Sequence, residues 1–284
     1  MRKIFASLTC GLFSSVLVAA PALPDPQVQK VTLLLEFSAK NSEANTLHMQ
    51  HWNLVQQALG SAIEVSQEHV SLQRSMELVQ QPGYCSINKM KTPQRLAQLI
   101  FSDKPFNISP SLRLIRMGTH DQTQPVDLAQ WLASSKRLKL GIAGGRSYGA
   151  MLDQLLLKHP GQIYQLSGED VNVKLWQMLQ KGRIDALVDY SVRIDYLNKM
   201  QPVPTLYSVV QIVGQPPILE GYLVCNPTEH GKQVIEFINK ALENQALQQA
   251  LYQSYQQYFP PHEWQTVEAL IRTKYPLARP TPQP

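Results

Sequence analysis

Alternation of short apolar runs with helical patterns restricts the fold of this chain more than any other feature of its sequence. In the first part, strand-like runs at 31–37, 62–66 and 83–90 are separated by apolar residues at helical spacing in 45–60 and 70–80. Glycine or proline follows each helical segment, as is usual where helices end. Strands that alternate with helices of this length predict α/β units.

The same alternation recurs in the second part of the chain and is followed by long helices. The predicted strands are 112–117, 138–143, 163–167, 184–189, 206–213 and 221–225. The predicted helices are 150–159, 171–182, 230–259 with a break near Asn244, and 262–275. Two sets of strand–helix–strand units joined by short loops indicate two compact lobes, with the chain crossing between them.

The N-terminus has the pattern of a secretory signal peptide. Arg2 and Lys3 precede a short apolar stretch at 4–19, and Ala20-Pro21-Ala22 offers a cleavage site. The stretch is shorter than the roughly 20 residues of a membrane span. We therefore expect removal of residues 1–22 and a periplasmic mature protein. The loss of two basic residues would reduce the net charge from +5 to about +3, too small an excess to suggest nucleic-acid binding.

Length and composition agree with a globular protein. The 284 residues suit one large domain or two moderate ones, and 44% apolar residues can form a real core. The proline-rich segment 276–284 is predicted to be a disordered tail. Of three cysteines, Cys10 would leave with the signal peptide. Cys85 and Cys225 would remain in an oxidising compartment, either as a disulfide or as two buried thiols.

Two places in the chain have residues that suit an anion. Arg95 lies in a short helix predicted after Thr92-Pro93. It could be a solvated charge, or its planar guanidinium could bind a carboxylate through two hydrogen bonds. The turn Gly145-Arg146-Ser147 precedes a helix, whose free N–H groups can bind an anion together with the Ser147 hydroxyl. Ser147 could also simply cap that helix.

Four stretches of the sequence resemble the bacterial extracellular solute-binding proteins of family 3, the amino-acid-binding type of periplasmic binding protein. In chain order they are MKTPQRLAQLIFSDKP, LKLGIAGGRSYGAML, LWQMLQKGRIDALVDY and EGYLVCNPTEHGKQVIEFINKALEN. They span about 90–245 in the order and spacing of the family, whereas residues 31–80 fit by pattern only.

The resemblance implies an α/β, two-lobed type II periplasmic binding protein fold, each lobe being a mixed sheet flanked by helices. Residues 23–112 and 214–275 would form lobe 1, and 113–213 would form lobe 2. A hinge of two segments would connect the lobes, and a ligand would bind between them as they close.

The resemblance also implies roles for individual residues. Arg95 would pair with a ligand carboxylate, and the turn at 145–148 would hold its other side. Ser86 and Asn88, on one face of a strand, would donate hydrogen bonds from lobe 1. The full set of candidate ligand-binding residues is Ser86, Asn88, Arg95, Gly145, Arg146, Ser147, Tyr148 and Tyr190. In lobe 1 of the family the strands that hold Cys85 and Cys225 are neighbours, which implies a disulfide between them.

One position departs from the family's pattern. Members that bind α-amino acids usually have an aspartate five residues after the position of Asp185, where it pairs with the ligand ammonium. Here that position is Tyr190, while Asp189 is one residue early and should point to the opposite face unless a bulge intervenes. A carboxylate or other anionic ligand is therefore favoured, and an amino acid is not established.

Together these observations predict a monomeric periplasmic solute-binding protein without catalysis, cofactor or metal, which captures a small polar or carboxylate-bearing, amino-acid-like solute between its lobes for ABC-type uptake or sensing. Two alternatives remain. One is an enzyme on the same fold, similar to cyclohexadienyl dehydratase, for which Glu169 is a loosely placed acid or base. The other is a sensing subunit for a membrane signalling partner. His48 and His51 could form half of a metal site, but no third ligand is evident.

Overall fold

The computed structural model describes residues 29–37, 46–121 and 123–276. The predicted signal peptide at 1–22, and all of the predicted tail except Pro276, lie outside these ranges. Within them, no helix is both long enough and apolar enough to cross a membrane.

The first sheet combines strands from the two ends of the described chain. Its six strands are β1 (Gln29–Leu35), β2 (Ile63–His69), β3 (Tyr84–Lys89), β4 (Ile100–Phe101), β5 (Asn107–Pro110) and β11 (Ile218–Cys225). Their order is β2-β1-β3-β11-β4, and β5 pairs with the first half of β11. β1 runs parallel to β2 and β3, whereas β11 is antiparallel to its neighbours. We call the part of the molecule built on this mixed sheet lobe 1.

The second sheet is formed by the middle of the chain and is the centre of lobe 2. Its strands are β6 (Arg113–Met117), β7 (Leu140–Ala143), β8 (Ile163–Leu166), β9 (Ala186–Asp189) and β10 (Tyr207–Gln211). They are ordered β10-β6-β9-β7-β8, with β7 parallel to β8 and β9, and β6 antiparallel to β9 and β10. The chain thus passes between the sheets twice, after β5 and again before β11.

Ten helices flank the two sheets in the described ranges. They are α1 (Thr46–Leu59), α2 (Leu72–Leu78), α3 (Pro93–Leu96), α4 (Leu128–Ala133), α5 (Ala150–Lys158), α6 (Val171–Gln180), α7 (Ser191–Lys199), α8 (Glu229–Glu243), α9 (Gln245–Tyr258) and α10 (Pro261–Lys274). The predicted break near Asn244 is confirmed, because this residue has an extended backbone and its side chain caps α9. The short elements α4, α7, β4 and β5 were not predicted.

Helices cover both faces at the centre of each sheet, which explains why inner strands such as β1 and β7 contain nearly continuous apolar runs. In β1, Leu33 and Leu35 pack with α1, α8, α9 and α10, while Leu34 faces the cluster that includes α2. In lobe 2, Leu114 belongs to the cluster with α4 and α5, and Ile115 to the cluster with α6 and α7. Each lobe therefore has its own core.

A disulfide joins the two strands at the centre of the first sheet. Cys85 of β3 and Cys225 of β11 are partners in register, with Cα atoms 4.2 Å apart, and their sulfurs are bonded. The implied pairing is confirmed. The bridge links residues 140 positions apart, and the loss of unfolded-state entropy corresponds to about 4–5 kcal/mol of stability.

Candidate functional site

An open cavity lies between the lobes and is lined by residues of both. Lobe 1 contributes the ends of β1 and β3, the start of α3 and part of β11. Lobe 2 contributes the turn before α5 and the first turns of α6 and α7. Of the eight candidate residues, six line this cavity: Asn88, Arg95, Gly145, Arg146, Ser147 and Tyr190.

Arg95 extends from lobe 1 to lobe 2. Thr92 caps α3 by accepting the Arg95 N–H, which fixes the start of the helix that carries this arginine. The guanidinium donates to the carbonyl of Met90 and to that of Gly145, each at 3.3 Å. Burial lowers the pKa of Arg95, and the charge of Asp153 partly opposes this effect. Among the described residues no carboxylate forms an ion pair with Arg95, so its charge can bind an anion.

The turn before α5 is already occupied by a carboxylate of the protein. Asp153, in the first turn of α5, accepts from the Ser147 hydroxyl at 2.6 Å and from the Tyr148 N–H at 2.7 Å. Gly149, with φ of 90°, is the N-cap residue, so Ser147 does not cap α5 directly. The Ser147 hydroxyl and one of the backbone N–H groups expected to hold a ligand anion therefore bind Asp153. The Arg146 side chain is a further group of this turn that can bind an anion.

Arg146 and Arg193 share one buried carboxylate at the edge of the cavity. Asp189 accepts from Arg146 at 3.0 Å, from Arg193 at 2.6 Å and from the N–H of Tyr190 at 2.8 Å. Burial favours the protonated form of Asp189, but these three donors outweigh it and hold the pKa below its usual value. Two guanidinium groups facing one carboxylate leave a net positive charge. Nη2 of Arg146 is buried without a hydrogen-bond partner among the described residues.

Tyr190 covers these arginines on the side of the cavity. Its ring centroid lies 4.9 Å from Cζ of Arg146 and 5.3 Å from Cζ of Arg193, in the range of cation–π contacts. Tyr190 lines the cavity, whereas Asp189 does not. The position at which amino-acid binders have an aspartate is thus taken by an aromatic ring against two cations.

Tyr148, one of the eight candidate ligand-binding residues, is instead a core residue of lobe 2. Its side chain is buried between the second sheet and α5, and its hydroxyl accepts the N–H of Ala143 at 2.7 Å. Its ring lies 5.0 Å from Cζ of Arg146. Tyr148 therefore supports the arginine from behind and does not line the cavity.

A bulge in β3 separates the two residues that strand alternation placed on one face. The pairing of β3 with β11 shifts between Ser86 and Lys89, and Asn88 has a left-handed backbone with φ of 59°. Asn88 consequently faces the cavity, while Ser86 is buried and hydrogen-bonded to Ser75 at 3.1 Å. Gly221 makes the bulge fit, because a Cβ at this position would overlap the Asn88 side chain. A glycine inside a strand is a signal of such close approach.

The two histidines have separate environments. The side-chain nitrogens of Asn88 and Asn107 lie 3.2 and 3.1 Å from Nε2 of His48, an arrangement that suits a neutral imidazole. Burial and the charges of Arg193 and Arg146 lower the pKa of His48 to about 3. His51 lies in the core of lobe 1, 2.6 Å from the hydroxyl of Ser254. The described residues contain no group of three potential metal ligands.

The acidic residues that line the cavity each have a lysine partner. Glu36 forms an ion pair with the buried Lys89, and Glu220 with Lys274 at 2.6 Å. Glu169, the acid considered for catalysis, is exposed and does not line the cavity.

Comparison with known proteins identifies the fold. No protein-family model and no curated protein matches the sequence. One similar structure was determined in work on glutathione import in Streptococcus mutans via GshT and the cystine ABC importer TcyBC. It has 15% sequence identity and a TM-score of 0.61, and the match covers 82% of this chain and 95% of that chain. A histidine-bound substrate-binding protein of an ABC uptake transporter from Streptococcus pneumoniae has 15% sequence identity and a TM-score of 0.59. The match covers 81% of this chain and 92% of that chain.

The periplasmic VFT2 domain of BvgS from Bordetella pertussis has 16% identity, with coverage of 82% of this chain and 94% of that domain and a TM-score of 0.56. At these identities the likeness concerns the fold. The chain therefore has the two-lobed type II periplasmic binding protein fold, as its sequence predicts.

Proposed function

We propose that the protein is a periplasmic solute-binding protein, which captures a small carboxylate-bearing solute between its lobes and delivers it to an ABC permease. The observation that carries this proposal is the partly buried guanidinium of Arg95, which crosses the cleft and contacts Gly145 without an acidic partner in the described ranges. Lobe 1 would comprise 23–112 and 214–275, and lobe 2 would comprise 113–213, with a monomer as the working form.

The chemistry of the cavity supports a carboxylate as the bound group. The two bonds of Arg95 go to neutral carbonyls, so a carboxylate that replaced them would form stronger, charge-assisted hydrogen bonds. Arg95 is also partly buried, which strengthens such a pair relative to one in bulk water. A solute bound here would contact both lobes and would favour the closed form.

The experiment is a calorimetric and thermal-shift screen of the mature chain against amino acids, dicarboxylates and other small acids. Binding should raise Tm by mass action. Arg95→Ala should then weaken the binding of the best acid by roughly 10–100-fold. This is the loss of affinity expected when hydrogen bonds to a charged group, which contribute about 1.5–3 kcal/mol, are removed. Arg74→Ala is the matched control, because Arg74 is an exposed arginine that forms a surface ion pair with Glu77. Equal affinity in Arg95→Ala and the wild type would refute the site.

A sensing role is the second candidate, and the fold shared with the BvgS domain supports it. Binding of the same solute would then signal to a membrane partner instead of feeding a permease. The enzyme alternative has less support, because Glu36 and Glu220 are each held by a lysine. Recovery of an unchanged solute after incubation with the protein, measured by NMR, would separate binding from conversion.

A further inference from the structure

Every described carboxylate around the cavity already has a partner. Glu36 is held by Lys89, and Glu220 by Lys274. Asp189 accepts from two arginines, and Asp153 accepts from a hydroxyl and a backbone N–H. A ligand ammonium would therefore meet no free acidic group in this part of the chain. A buried ammonium without an anionic partner is strongly unfavourable.

The positive groups of the cavity are in excess. Within the described ranges, Arg95 has only carbonyl partners, and Arg146 and Arg193 share a single carboxylate. Both members of that pair line the cavity, together with Tyr190, which lies against them. An ammonium placed here would be repelled, whereas a carboxylate would be attracted.

Two buried polar atoms at the cavity have no partner among the described residues. One is Nη2 of Arg146, a donor with positive charge, and the other is Oδ1 of Asn172, a neutral acceptor in the first turn of α6. Both residues line the same cavity. A molecule that offers an anionic oxygen and a hydroxyl group would satisfy both atoms, because the hydroxyl can donate to Asn172.

We infer that the solute is a small hydroxy carboxylate without an ammonium group, rather than an α-amino acid. This inference rests on the proposed function, since it assigns the chemistry of the solute held in the same cavity. Arg95 and Arg146 would bind the carboxylate, and Asn172 would accept from the hydroxyl. The Tyr190 ring would exclude the ammonium by shielding Asp189.

The test uses matched sets of acids that differ in one substituent on the carbon next to the carboxylate. The sets are propanoate, lactate and alanine; glutarate, 2-hydroxyglutarate and glutamate; and 3-phenylpropanoate, 3-phenyllactate and phenylalanine. Calorimetry on the mature wild-type chain should give a Kd for the best hydroxy acid at least tenfold below that of its amino acid. The unsubstituted acid should bind with intermediate affinity.

Single and double variants show which side chains cause the differences in affinity between the acids. Asn172→Ala should remove the difference between the hydroxy acid and the unsubstituted acid, while Arg95→Ala should weaken both by the same factor. The double variant Arg146→Met, Arg193→Met leaves Asp189 without its two arginine partners. It should reduce or reverse the difference in Kd between the hydroxy acid and the amino acid. The wild-type series remains decisive if that double variant does not fold.

The two proposals fail in different ways. An amino acid that binds as tightly as its hydroxy partner, with dependence on Arg95, would overturn this inference and leave the proposed function standing. Equal binding of hydroxy and unsubstituted acids would overturn the role of Asn172 and the hydroxyl. Absence of binding by every acid in the series would count against the proposed function and against this inference with it.

Discussion

Replacement of Asp189 by asparagine should destabilise the protein strongly, because this carboxylate is the shared ion-pair partner of two largely buried arginines. Asp189, Arg146 and Arg193 are all largely buried, with side-chain exposures of 4%, 13% and 13%. Removal of one member of a buried ion pair typically costs about 3–5 kcal/mol, since the charges left behind are neither solvated nor paired. For a chain of this size that loss lowers Tm by roughly 6–20 °C.

The assay is urea and thermal unfolding of the wild type and Asp189→Asn, followed by circular dichroism. Glu77→Gln is the control, because it breaks an ion pair with Arg74 in which both side chains are more than half exposed. Such surface pairs contribute at most about 1 kcal/mol. If Asp189→Asn costs no more than Glu77→Gln, the three-residue cluster does not stabilise lobe 2 and the reasoning is refuted.

The effect should also depend on pH with a defined sign. The folded protein holds the pKa of Asp189 below its unfolded value of about 3.9, so the ionised form is the stabilising one. The contribution of Asp189 to the free energy of unfolding is complete above its unfolded pKa and is lost as the pH falls through its folded pKa. The difference in stability between wild type and Asp189→Asn should therefore be constant near neutrality and shrink below about pH 4.

Three further predictions concern other parts of the site. Gly221→Ala should lower the free energy of unfolding by about 1–3 kcal/mol and weaken solute binding, because the added Cβ overlaps the β3 bulge. Gly161→Ala, whose Cβ would meet open space, is the control in the same unfolding measurements. The denatured mature chain should show no free thiol before reduction, and reduction of Cys85–Cys225 should lower the urea midpoint by an amount equivalent to about 4–5 kcal/mol. In the folded protein the pKa of His48 is lowered to about 3, so its imidazole stays neutral. Its contribution to the free energy of unfolding is therefore full above the unfolded pKa of about 6.5 and is lost as the pH falls from there toward 3. His48→Gln should flatten that part of the urea midpoint's pH profile, and an unchanged profile would contradict the assignment.

The fold was largely predictable because it depends on local periodicity. Runs such as VTLLLEF and LKLGIA are apolar along their whole length, which is the pattern of strands covered on both faces. Short elements such as α7 and β5 were missed since they contain too few residues for a period to be visible. The disulfide followed from the resemblance, which supplied the neighbouring strands.

The site was predictable only in part, because its charges are arranged by contacts between distant residues. The sequence placed Arg95 and the turn at 145–147, and both line the cavity. It did not predict that Asp153 would occupy the donors of that turn, although an acid in the first turn of a helix is common. It also missed Arg193, which reaches Asp189 at the end of β9 from the first turn of α7, an element that was not predicted.

The disulfide has a mechanical consequence. Because Cys85 and Cys225 enclose β6 to β10, the whole second sheet belongs to a covalently closed loop. Tension applied at the two ends of the chain would pass through the sulfur–sulfur bond and would not load lobe 2. A single proteolytic cut within lobe 2 would likewise leave both fragments attached. Reduction would expose lobe 2 to pulling and would let the fragments separate.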